Sequence, residues 1–118
     1  VAGGTKVASA YRLVNRLVKN ENLERDYNIY VFHGTDGDDW DTRGEEALPE
    51  LRKMLSYAAR VGITVAENNF NPQGRSDLER YITKSGLLEE KPSLLRLDVL
   101  DRDSDESRLI EGIRALIS

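Results

Sequence analysis

The chain has 118 residues, 32% of them charged, with a formal net charge of −4 and no cysteine. That length accommodates one domain with a core of its own, residues 1–118, and not two. The composition excludes disulfides, thiolate metal sites and a cysteine nucleophile, and the mild acidity argues against nucleic acid and anionic membrane, both of which need a basic face.

No apolar run approaches the roughly 20 residues that span a bilayer. Val1 to Lys6 show no apolar stretch behind a basic start, so no secretory leader is read there. Absence of Cys fits a reducing compartment, and a cytoplasmic location is expected. The chain starts without Met, abruptly before Gly3, and a segment upstream is expected.

In chain order, Val7, Ala10, Tyr11, Val14, Leu17 and Val18 recur at spacings of three and four, which predicts a helix from Lys6 to about Lys19. Arg12, Arg16 and Lys19 are read as its solvated face. Asn28 to His33 is a run of β-branched and aromatic residues with both faces apolar, the pattern of an interior parallel strand. Gly34-Thr35-Asp36-Gly37-Asp38 ends it in a polar loop. A second helix is predicted from about Glu45 to Val61, with Pro49 in its first turn and Gly62 closing it. Ile63 to Ala66 reads as a strand, and Asn68 to Gly74 as a loop. Ser76 with Glu79 three residues later marks a capping box for a third helix that ends at Gly86. Leu94 to Leu100 is a third strand, and a final helix starts at Ser104 or Asp105 and runs to Ile117. Strands separated by helices predict a parallel sheet covered on both faces, a three-layer α/β/α fold. Ligands of such sheets bind beyond the carboxyl ends of the strands, so the loops after His33, Ala66 and Leu100 should share one rim.

Asp36, Asp38, Asp39 and Asp41 place four carboxylates within six positions. A hard divalent cation would compensate their repulsion, and so would solvent. The spacing is not that of an EF-hand, because Trp40 and Asp41 stand where a ligand and a glycine belong. His33, at the strand end beside this loop, is either a metal ligand or base, or a structural polar group; the second reading is favoured. Trp40 either packs the loop onto the domain or contacts a partner, with packing favoured. Thr5 serves equally as a helix cap or an oxygen ligand. Asn68, Asn69 and Asn71 either touch a ligand or make local turns.

Gly3-Gly4-Thr5 leading into a helix, followed by Asn28-Ile29-Tyr30 and the strand-end Thr35-Asp36-Gly37-Asp38-Asp39-Trp40, resembles the C-terminal part of a von Willebrand factor A-like domain. More narrowly it resembles the YeaH/YhbH family of stress- and sporulation-associated proteins. The resemblance is strongest over residues 3–40. It implies a Rossmann-like fold lacking its N-terminal strands, and a protein-interaction role with remnants of a metal-ion-dependent adhesion site. Thr5, Asp36 and Asp38 would be its metal ligands, and Gly4, Gly37, Trp40 and Asn68 would face a partner. The Asp-x-Ser-x-Ser motif of that site is missing, and Asp103-Ser104-Asp105-Glu106-Ser107 stands in the wrong place. Mg²⁺ or Mn²⁺ would therefore bind the full-length domain, and weakly or not at all this piece. The resemblance also implies a serine protein kinase of the same stress pathway as a partner. Without the missing strand, Asn28 to His33 becomes an apolar edge, so a homodimer through that edge is expected.

The chain is not expected to be an enzyme. The alternative is a metal-dependent phosphohydrolase using residues 35–41, for which the nearby cation supply is poor: only Arg43 is close. A receiver-like domain needs a Lys after its last strand, where Asp101 and Arg102 stand instead.

Overall fold

The computed structural model describes residues 6–66, 75–100 and 105–117. The elements are α1 (Val7–Asn20), α2 (Leu23–Asp26), β1 (Tyr30–Thr35), α3 (Ala47–Tyr57), β2 (Arg60–Ala66), α4 (Asp77–Ser85), α5 (Leu87–Glu90), β3 (Leu95–Leu100) and α6 (Glu106–Ile117). The strands form one sheet in the order β1-β2-β3, all parallel, with Phe32 opposite Gly62 and Ile63 opposite Leu97. No helix among the described residues is long and apolar enough to cross a membrane.

The central strand explains the layering. Val61, Ile63 and Val65 alternate along β2 and are fully buried, packed in one cluster with Tyr11 of α1, Leu51 and Met54 of α3 and Ile82 of α4. The intervening residues face α6: the Arg60 guanidinium donates to the Leu116 carbonyl, and Asp98 of β3 pairs with Arg108. Helices therefore cover both faces, as the alternation of elements predicts.

The second helix is four residues shorter at its end than its apolar spacing predicts. It stops at Tyr57, Ala58 is extended, and β2 already runs from Arg60. Gly62 is not a helix cap but a strand residue. A Cβ there would lie 2.9 Å from the Phe32 ring and 3.2 Å from Leu116, so glycine permits the close approach of α6 to the sheet. The short α2 and α5 are also absent from the sequence reading; a single turn carries too little periodicity to register. Ser76 does cap α4, accepting from the Glu79 amide, and Gly86 closes it in the left-handed region. Asp105 accepts from the Arg108 amide at the start of α6, whereas Ser104 lies outside the described residues.

A polar staple joins α1 to α3. Asn15 donates to the Glu50 carbonyl at 2.9 Å and to its carboxylate at 3.0 Å, and accepts from the Tyr57 hydroxyl at 2.6 Å. Arg12 reaches toward Glu46 and Glu50 as well, so it is not merely solvated. The Asn15 amide, helped by Lys53 and Arg12, holds the Glu50 carboxyl below its ordinary range. A carboxylate with a depressed folded-state pKa contributes stability above its ordinary pKa and loses it as pH falls through the folded value.

β1 has the composition of an interior strand and the position of an edge. The Ala59 amide donates to the Ile29 carbonyl, and the alternation of the ladder turns the main-chain groups of Tyr30, Phe32 and Gly34 away from β2. Tyr30 and Phe32 are more than half exposed. Leu13 and Leu17, on the flank of α1 away from α3, are exposed too, as is Ile113 of α6. All three layers thus end in apolar side chains on one side.

Replacing Asn15 with Ala should lower unfolding stability by about 1–3 kcal/mol, since it strands buried partners on α3. The measure is the urea midpoint, with an unchanged slope.

Candidate functional site

The loop after β1 is held in place by its own carboxylates. Asp39 is only 7% exposed, an unusual position for a charged group. Its Oδ1 accepts from the Val7 amide at 3.1 Å and the Asp41 amide at 3.2 Å, and its Oδ2 accepts from the Tyr81 hydroxyl at 2.9 Å. Lys6 supplies no side-chain cap to α1, so Asp39, 32 residues away, caps that helix. The positive end of the helix dipole and three donors replace the water the carboxylate loses. Burial and the adjacent Asp39 charge push the Tyr81 hydroxyl far up, and burial does the same for Tyr11, so both keep their protons at neutral pH.

Asp41 does a similar job for α3, accepting from the amides of Glu45, Glu46 and Ala47 at 2.8–3.1 Å. Asp77, in the first turn of α4, accepts from the Asp39 amide at 3.0 Å. Gly37 sits at φ +84°, and its carbonyl accepts from the Leu78 amide at 2.9 Å. A side chain at Gly37 would collide with Ser76 and Val65. The loop is thus pinned between the amino ends of α1, α3 and α4.

Asp36 and Asp38 point outward. Asp36 Oδ1 accepts from the Asp38 amide at 3.0 Å, and Thr35 Oγ1 accepts from the Gly37 amide, two tight turns at the strand tip. A cleft of about 490 Å³ opens there, lined by Lys6 just before α1, Ala10 of α1, His33 and Thr35 of β1, and Asp36, Asp38, Asp39 and Trp40 among others. Trp40 is 68% exposed, which overturns the reading that it packs the loop down. The capped carboxylates already fix the loop, so packing of the indole is not needed for that purpose.

The sequence-predicted set divides. Asp36, Asp38 and Trp40 meet at this rim, whereas Gly37 is buried beneath it against Ser76 and Val65; Thr5, Gly4, Asn68, Asn69 and Asn71 lie outside the described residues. So do the loops after Ala66 and Leu100. Among the described residues no group of three or more His, Asp or Glu side chains converges on a metal-sized point. Asp36 and Asp38 by themselves do not fit a resident divalent ion, which takes about six or more oxygen ligands. Tyr81 and Asp77 are residues that sequence reasoning missed at this site, as is the capping role of Asp39. Only Asp77 carries a signal, as an acid in the first turn of a helix.

His33 Nδ1 and the Tyr11 hydroxyl are hydrogen-bonded at 2.9 Å, with the rings edge to face. This matches the structural reading of that histidine. Burial lowers its pKa, so the imidazole is neutral in the fold.

Two outcomes follow from this geometry. Asp39→Ala should cost about 2–4 kcal/mol, combining a lost helix cap with a stranded Tyr81 hydroxyl, as read by chemical denaturation. For His33, the unfolded chain takes up a proton near pH 6.5 before the folded one does. Its stability contribution is therefore full above that pH and declines as pH falls through the folded value. His33→Asn should flatten the fall in urea midpoint between pH 7.5 and about 5.5.

The chain matches, over residues 1–83, the family described as "Protein of unknown function (DUF444)". A UPF0229 protein of Ruminiclostridium cellulolyticum is 30% identical over 61 residues, covering 52% of this chain and 15% of that protein. UPF0229 proteins of Legionella pneumophila strain Corby and of Chromohalobacter salexigens are each 35% identical, over 65 and 66 residues, covering 52% of this chain and 16% of theirs. The matched segment is thus a small part of each relative's length. No solved structure matches the chain. The family match spans the helix, strand and acidic loop that build the rim, and on that basis the chain belongs to the DUF444 family of proteins of unknown function.

Proposed function

We propose that this domain is a protein-interaction module of the von Willebrand factor A-like kind. The observation that carries the reading is the side of the molecule where α1, β1 and α6 all end in exposed apolar residues around outward-turned main chain. Monomeric proteins rarely leave such a surface uncovered, and an unpaired apolar strand invites another strand.

A second copy fits that edge. Two β1 strands related by a two-fold axis run antiparallel, and the rotation brings like layers together: the Leu13 and Leu17 flank meets its equivalent, and Phe32 lies near Phe32. No charged residue interrupts Tyr30 to Thr35. The exposed Leu13, Leu17, Tyr27, Tyr30, Phe32 and Ile113 hold several hundred Å² of apolar surface, on the order of the roughly 800 Å² per partner of a stable interface.

The rim at Asp36, Asp38 and Trp40 is the second docking surface, for another protein; the YeaH/YhbH resemblance suggests a serine protein kinase. Mg²⁺ or Mn²⁺ would require donors beyond Asp36 and Asp38, supplied by Thr5 and by a longer chain. Binding is favoured over phosphohydrolysis because Asp39 and Asp41 are engaged as helix caps.

Light scattering should find a dimer at high micromolar concentration. Phe32→Lys, at a half-exposed site, should raise its dissociation constant at least about tenfold. A wild-type chain that stays monomeric at millimolar concentration defeats the dimer. Calorimetry with Mn²⁺ addresses the rim: a longer family member should bind, and its Asp36→Ala counterpart should not.

A further inference from the structure

A groove of about 910 Å³ lies between the segment leading into α3 and the outer face of α4. Its lining includes Arg43, Arg75, Arg80 and Lys84, with Glu45 the one carboxylate among its lining residues. Four cations gathered in one groove are conspicuous in a chain whose net charge is −4. Leu48 and the ring of Tyr81 give the groove an apolar wall.

The local structure accounts for only part of this grouping. Arg80 and Lys84 stand four apart on α4, where like charges repel by about 0.2–0.5 kcal/mol on an exposed helix. Asp77 offsets Arg80, and the helix dipole favours Lys84 in the last turn. Arg43, in the loop before α3, has no such helical reason to face the same space, and Arg75 joins it from the loop before α4. Among the described residues neither Arg43 nor Lys84 has an ion-pair partner. Convergent guanidinium groups beside a hydrophobic wall are the chemistry that recognises acidic and phosphorylated peptide segments.

We infer that this groove binds a short acidic segment of a partner protein, its charge carried by phosphate or by clustered carboxylates. The groove is separate from the β1 edge, and the inference stands whether or not that edge forms a dimer.

Fluorescence anisotropy tests it with three labelled probes: a Glu-rich peptide, the same peptide carrying phosphoserine, and a single-stranded oligonucleotide of equal charge. A peptide should bind saturably, with affinity falling as salt rises. Arg43→Glu combined with Lys84→Glu should weaken it at least tenfold while the urea midpoint holds. Tighter binding of the phosphopeptide assigns phosphate as the anion, and equal binding assigns carboxylate; both support the groove. Phe32→Lys should leave peptide binding unchanged, which separates this site from the dimer edge. The inference is overturned if neither peptide saturates, if the double variant binds as well as the parent, or if the oligonucleotide outcompetes both peptides.

Discussion

One buried carboxylate organises this domain. Asp39 lies in a loop, yet it closes the amino end of α1, takes the proton-bearing hydroxyl of Tyr81 from α4, and is itself anchored by Asp77 through its amide. A charge at that depth is tolerated because both of its oxygens meet donors, three in all, and a helix dipole points at it. Remove those donors and the same carboxylate becomes a liability of several kcal/mol, so α1, α4 and the loop depend on one another through it.

That arrangement divides the labour inside the acidic run. Asp39 and Asp41 are consumed by helix ends, and the exposed part of the run is Asp36, Asp38 and Trp40. A stretch that looks in sequence like a single negative patch is in structure two internal struts and a small outward rim. The chemistry open to the rim is correspondingly modest: oxygen atoms that accept and an indole that packs. Both suit recognition.

The order of helices and strands, the parallel sheet and the capping of α4 by Ser76 were legible because each follows from periodicity or from a local capping pattern. The ends of α3 were not. Tyr57, Ala58, Ala59 and Val61 fit a helix as well as a strand start, and the pairing of Arg60 and Val61 with Tyr30, Val31 and Leu95 is a long-range fact that no local spacing carries. The site was half legible. The Asp-Gly-Asp strand end and its family likeness led to Asp36 and Asp38. The long-range partners of Asp39 were invisible, because they lie 32 and 42 positions away and no local spacing announces them. Trp40 went the other way: a large aromatic beside a loop suggests packing, and the loop was already fixed by hydrogen bonds.

Tyr81 belongs to two places at once. Its ring forms part of the wall of the basic groove, and its hydroxyl grips the carboxylate that sets the rim. Thr42 likewise lines both hollows. The two surfaces therefore share a hinge pin of side chains. Were ligands to bind at both, any coupling through Tyr81 would be mutual: whatever occupancy of the groove did to affinity at the rim, occupancy of the rim would do to the groove by the same factor.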